Sequence, residues 1–136
     1  MIRTFTIPGK PLGKQRPRVL RNGITYTPKE TVNYETLVKE IYWNKYPTEK
    51  LLEGPVRATI TAYMPIPKST SKKKKALMLE RKILPTKKPD WDNIGKIVTD
   101  ALNEIAYYDD KQIISCTVEK YYSDQPKVQV KIEGGV

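Results

Sequence analysis

Pro89-Asp90-Trp91-Asp92-Asn93-Ile94-Gly95-Lys96-Ile97-Val98-Thr99-Asp100-Ala101-Leu102 is the stretch on which the fold turns. Ile94, Ile97, Val98, Ala101, Leu102 and, further on, Ile105 recur at the spacing of one helical face. A helix over about residues 93–104 must therefore lay that face on an apolar surface. Asp90 or Asp92 stands where a side chain can cap the first turn. Asp92, Lys96 and Asp100 recur every four residues and share a second, polar face. Pro89 keeps the approach extended, and in extended backbone residues i and i+2 project to one side. Asp90 and Asp92 are thus expected to point together.

Strands supply the apolar surface. Val56, Ala58, Ile60, Ala62 and Met64 alternate with Arg57, Thr59, Thr61 and Tyr63, and Pro65 and Pro67 end the run. This is a strand with one buried face. Residues 2–7 alternate in the same way before Pro8-Gly9. Residues 112–122 and the run Val128, Val130, Ile132 read as two more strands, separated by Ser123-Asp124-Gln125-Pro126. Residues 19–26, broken by Asn22-Gly23, read as a short hairpin. Thr27-Pro28-Lys29-Glu30 has the form of a capping box with proline in the first helical position. Tyr34, Leu37, Val38, Ile41 and Tyr42 then mark a core-facing helical stripe that ends near Tyr46, before Pro47. Ser69-Thr70-Ser71 offers caps for a short helix over residues 72–81. The pattern predicts one α+β domain over residues 1–136, with a small mixed or antiparallel sheet packed with about three helices.

Composition narrows the chemistry. The 136 residues carry 25 Lys and Arg against 15 Asp and Glu, a formal charge of +10, which favours polyanionic partners. Histidine is absent. Ser-His and Cys-His nucleophiles and His-ligated zinc are thereby excluded. The single cysteine, Cys116, rules out an intrachain disulfide framework and fits a reducing compartment. No apolar run is long enough to span a membrane, and residues 1–8 lack a signal-peptide core. A cytoplasmic protein with no membrane segment is expected.

If the chain is an enzyme, carboxylates with a divalent metal, or lysine and tyrosine, must carry its chemistry. Asp90 and Asp92, with Asp109 or Asp110, are hard oxygen donors of the kind Mg²⁺ takes alongside water and substrate phosphate. A pair of such ions can clamp the attacking and leaving oxygens of phosphoryl transfer. Lys96, one turn beyond Asp92, is placed to contact the phosphate or steady a water. Spacing alone leaves a second reading open, in which Asp92, Lys96 and Asp100 form an ordinary surface ladder. A calcium loop does not fit, because Ile94 and Ala101 stand where oxygen ligands are needed. Basic residues flank the acids. Lys14, Arg16 and Arg18 lie in a Gly- and Pro-rich loop suited to phosphate contacts. Lys72, Lys73, Lys74 and Lys75 open a helix against its macrodipole, which points to anions there. Lys87 and Lys88 immediately precede the acidic motif.

Asp90-x-Asp92-Asn93-x-x-Lys96-x-x-x-Asp100-Ala101-Leu102-Asn103, followed by Asp109-Asp110-x-Gln112-Ile113, resembles the signature of the RusA family of Holliday junction resolvases. Lys14-Gln15-Arg16-Pro17-Arg18, Thr25-Tyr26-Thr27-Pro28 and Met64-Pro65-Ile66-Pro67-Lys68 resemble the form found in Gram-positive bacteria and their prophages. The resemblance implies a homodimeric endonuclease that nicks two strands of four-way junction DNA symmetrically, in recombination and repair. It implies Mg²⁺ as cofactor, with Mn²⁺ as a substitute, and ends carrying 5′-phosphate and 3′-hydroxyl. It implies essential roles for Asp90, Asp92 and Asp110, with Lys96 also catalytic and Asp109 a neighbouring metal ligand. Two other functions use the same features: a nuclease for other branched DNA, and a DNA-binding module without catalysis.

Chain geometry poses one difficulty. A helix over residues 93–104 is roughly 18 Å long at ~1.5 Å per residue. The return over residues 105–109 retraces at most about 16 Å at ~3.3 Å per residue. Bringing Asp110 back to Asp90 requires either a shorter helix or a site completed by a partner subunit.

Overall fold

The computed structural model describes residues 1–135 and runs β1 (Ile2–Pro8), β2 (Arg18–Val19), β3 (Thr25–Tyr26), α1 (Lys29–Lys45), β4 (Val56–Pro65), α2 (Lys72–Leu79), α3 (Trp91–Ala101), β5 (Ile113–Ser123) and β6 (Lys127–Gly134). A short 3₁₀ turn, Asp110–Gln112, leads into β5. The four long strands form one sheet in the order β1-β6-β4-β5. β6 pairs antiparallel with both β1 and β4, while β5 runs parallel to β4, so the sheet is mixed. The parallel pair requires a crossover, and the segment containing α2 and α3 provides it.

Alternation decides which face is covered. Phe5 and Ile7, Val56 to Met64 at every second residue, and Val128, Val130 and Ile132 are buried beneath α1 and α3. Ile94, Ile97, Val98, Ala101 and Leu102 of the motif stretch join the same core, as their spacing predicts. Tyr34, Val38 and Tyr42 of α1 complete it, so the aromatic stripe is core. Arg3, on the inward face of β1, is also buried. Its guanidinium donates to the Tyr42 hydroxyl at 2.6 Å and the Lys50 carbonyl at 2.7 Å, which offsets the cost of burying the charge.

Local signals hold with two corrections. The hairpin forms across Gly23 (φ +83°), although β2 and β3 are only two residues each. Ser71 caps α2 by accepting from the Lys74 N–H. The capping box expected at Thr27 and Glu30 does not form: Pro28 is the N-cap of α1 and no side chain caps it. Proline there still presets φ at −54° for the helix that follows. The second correction concerns α3, which starts at Trp91 and ends at Ala101, displaced from residues 93–104 at both ends.

Candidate active site

Because α3 begins at Trp91, Asp90 is its extended N-cap while Asp92 already has helical backbone. The i, i+2 rule for extended chain therefore does not apply, and the two carboxylates part company. Asp92 lines a groove between α3 and β5, whereas Asp90 lines a separate cavity against the loop over residues 10–15. Asp92 accepts a hydrogen bond from the Asn93 N–H at 3.0 Å.

The groove has a volume of about 270 Å³. Asp92, Lys96 and Asp100 project from α3, Cys116 and Val118 from β5, and Asp110 closes one end. Gly95 is what lets the helix settle on the strand. A Cβ there would stand 3.1 Å from Val118 Cγ2 and 3.5 Å from Cys116 Sγ. Loss of water pushes the Cys116 thiol pKa up, so this cysteine offers no ready thiolate.

The early end of α3 brings Asp110 back to the Asp92 groove, but not to Asp90, which lines the other cavity. After Ala101 the chain reverses through Glu104 at φ +64°, and Ala106 and Tyr107 pack into the core. The Tyr107 hydroxyl donates to the Thr99 carbonyl, folding the return segment along the helix. Asn103 Oδ1 then accepts from the Asp110 N–H at 3.0 Å. Gln112 fixes the same turn from the other side. Its Oε1 accepts from the N–H groups of Tyr108 and Asp109 at 2.8 and 3.0 Å, and its Nε2 donates to the carbonyls of Leu52 and Gly54. Asp109 caps the 3₁₀ turn by accepting from the Lys111 N–H at 2.9 Å.

The Asp109 and Asp110 carboxyls lie close enough to share a hydrogen bond when one of them is protonated. Asp110 is raised above the usual carboxylate range, first by that bond to Asp109, then by lost hydration and the charges of Asp109 and Asp100, with Lys96 opposing. Asp109 is held low by the Lys111 N–H and by the bond from Asp110. Crowded like charges of this kind are eased by a cation.

Lys14, expected to face phosphate, is committed inside the fold. Its ammonium stands 3.1 Å from Glu35 of α1 and 3.3 Å from Asp100 of α3. Lys96 reaches the same Asp100 oxygen at 3.5 Å. Burial alone would lower the Lys14 pKa, but Glu35 and Asp100 outweigh it and leave it raised. Arg16, Arg18, Lys87 and Lys88 are exposed, and Lys88 lines the Asp90 cavity. Lys72, Lys73, Lys74 and Lys75 are exposed on α2, where Lys75 lines a cavity with Ser123 at the far end of β5 from Asp110. The eleven residues of β5 span roughly 35 Å at ~3.3 Å per residue, so the lysine run and Asp110 cannot touch one phosphate.

Among the described residues, no three Asp, Glu or Cys side chains come close enough together to hold a metal ion. Asp92 and Asp110 nonetheless share one groove, and two carboxylates completed by water and phosphate are a donor set that suits Mg²⁺. Three supporting residues were not assigned by periodicity: Asn103, Gln112 and Lys120. Lys120 donates from β5 to the carbonyls of Lys87 and Pro89 at 2.6 and 2.9 Å, anchoring the approach to α3. Asn103 and Gln112 stand within the motif, which is the only sequence signal they carry.

A family profile described as Endodeoxyribonuclease RusA matches residues 8–133. A curated Bacillus subtilis (strain 168) protein with the name "Uncharacterized protein YqaN" is 39% identical over 133 residues, which cover 94% of this chain and 93% of that protein.

Proposed function

The chain belongs to the RusA endodeoxyribonuclease family, and from that premise we propose that it is a Mg²⁺-dependent endonuclease that resolves Holliday junctions by paired, symmetric nicks. The observation that carries the reading is the groove that Asp92, Lys96 and Asp110 line together, on a chain of formal charge +10. Asp92 and Asp110 would hold the ion. Asp90, in the neighbouring cavity, would join the set only once DNA and the second subunit of a homodimer are in place. When bound, Mg²⁺ supplies charge to the phosphate and lowers the pKa of an attacking water.

The chain's own residues do the rest. Lys96 offers its ammonium to the phosphate oxygens, and Asp100, pinned by Lys14, holds Lys96 on that side of α3. Arg16, Arg18, Lys87 and Lys88 neutralise backbone phosphates near the Asp90 side. Lys72, Lys73, Lys74 and Lys75, some 30 Å away along β5 (~3.3 Å per residue), engage an arm of the junction further from the nick. Hydrolysis leaves 5′-phosphate and 3′-hydroxyl ends. Such a reaction belongs in the cytoplasm with the DNA. No helix among the described residues is long and apolar enough to cross a membrane.

The test is a synthetic four-way junction incubated with the purified protein in Mg²⁺ and in EDTA. Paired, symmetric nicks that require the metal are expected. Asp110→Asn should lose cleavage and keep junction binding, because removing a negative charge does not weaken attraction to phosphate. Metal-independent behaviour identical in wild type and Asp110→Asn would leave only a DNA-binding module.

A further inference from the structure

The second cavity, about 390 Å³, lies where the N-termini of α1 and α3 converge under the loop over residues 10–15. Neither helix receives a side-chain cap from its N-cap residue, so first-turn N–H groups other than that of Asn93, which Asp92 accepts, remain for an outside acceptor. Thr31 lines the cavity while being only 1% exposed, and its hydroxyl has no hydrogen-bond partner among the described residues. A buried hydroxyl left unpaired costs free energy unless a ligand satisfies it. The loop is held in place to form the opposite wall. Lys14 N–H donates to the Asn93 carbonyl at 2.8 Å, and Gly13 packs so closely that a Cβ would lie 2.8 Å from Pro89 Cβ.

The lining selects the kind of ligand. Lys10 and Lys88 are balanced by Glu30 and Asp90, and Lys14 is already neutralised by Glu35 and Asp100. A bare anion therefore gains little here. Pro11, Leu12 and Pro89 give apolar walls, while Gln15, Thr31 and Asn93 give neutral donors and acceptors. Flat apolar walls with neutral hydrogen-bonding groups, in a cavity of the size that takes small ligands, match a nucleobase. Asp90 at the rim ties the cavity to the catalytic carboxylates.

We propose that this cavity receives one unstacked base of the cleaved strand, next to the scissile phosphate, and that Thr31 and Gln15 help read it. The inference rests on the nuclease reading above and adds to it a means of sequence preference. Base entry needs no metal, so it is measured in EDTA by placing 2-aminopurine singly at each position flanking the nick in a four-way junction. Wild type should give a fluorescence rise at one position. Thr31→Val and Gln15→Ala should each reduce that rise and lower the ratio of nicking rates between best and worst flanking nucleotides by about fivefold, the worth of one hydrogen bond. Thr31→Val removes an unpaired buried hydroxyl and should not lower Tm, and Gln15 is exposed, so both variants fold. A junction that is bound and nicked with no position brightening, or with brightening and nucleotide preference unchanged in both variants, overturns the pocket alone. A wild type that neither binds nor nicks the junction overturns the nuclease reading, and this inference with it.

Discussion

Asn103 Oδ1 accepts the Asp110 backbone N–H at 3.0 Å, joining the turn that ends α3 to the residue that closes the groove. The bond explains how a carboxylate ten residues beyond Asp100 returns to the helix it left. It also makes a prediction. Asn103→Ala frees the Asp110 turn while Gln112 still caps it, so stability should fall by about 1 kcal/mol, the worth of one hydrogen bond. Nicking should fall more steeply, by about tenfold to a hundredfold, because misplacing a reacting group by an ångström costs that much. Urea unfolding and single-turnover junction cleavage separate the two effects. A loss of rate no larger than the loss of stability would deny Asn103 a positioning role.

Lys14 joins Glu35 and Asp100, and through Asp100 it meets Lys96. Lys14→Met should destabilise the fold by about 2 kcal/mol, since it removes charged hydrogen bonds from partly buried partners. The folded pKa of Lys14 is raised above 10.5, so the stabilisation is complete throughout the neutral range. It is lost only as pH rises through the folded value. The stability gap between wild type and Lys14→Met should therefore stay constant near neutrality and narrow in strong alkali. A gap that persisted unchanged in strong alkali would mean that the Lys14 charge does not carry the stabilisation.

The same residue marks where sequence reading stops. Apolar alternation in Val56 to Met64 and helical spacing in Ile94 to Leu102 announce the sheet and the helix on it, because periodicity follows directly from backbone geometry. Lys14 sits in a loop without period, so nothing local distinguishes a phosphate contact from an internal latch. Asp90 and Asp92 were expected to point together on a rule for extended chain. The helix boundary fell between them, and element boundaries are where periodic patterns carry least information. Asn103, Gln112 and Lys120 act on backbone groups distant in sequence, a relation visible only once the chain is folded.

Gly13 is required by contact rather than by backbone angle. A Cβ there would meet Pro89 Cβ at 2.8 Å and Asn93 Cβ at 3.0 Å, and neither neighbour is the tip of a flexible side chain. Gly13→Ala should push the loop off α3, strain the Lys14 N–H to Asn93 hydrogen bond and cost about 1–3 kcal/mol, as overpacking does. Junction nicking should fall with it. Thermal unfolding with Tm equal to wild type would show that the loop moves freely.

Asp109 holds the neighbouring Asp110 above the usual carboxylate range, and on the proposed mechanism that pair sets the acid limit of activity. In that mechanism Asp110 must be ionised to hold the ion, so its raised pKa means that activity should begin to fail at a higher pH than for an ordinary aspartate. Asp109→Asn keeps an oxygen to accept the Lys111 N–H, so the 3₁₀ turn survives. It removes the anionic acceptor and the like charge that hold Asp110 up. Asp110 then ionises at lower pH, and the acid limb of log nicking rate against pH should move to lower pH in the variant, whatever happens to the plateau. Both carboxyls are open to solvent, so added salt should shrink the difference between the two profiles. An acid limb that stays in place, or moves to higher pH, would mean that a group other than Asp110 controls ionisation of the site.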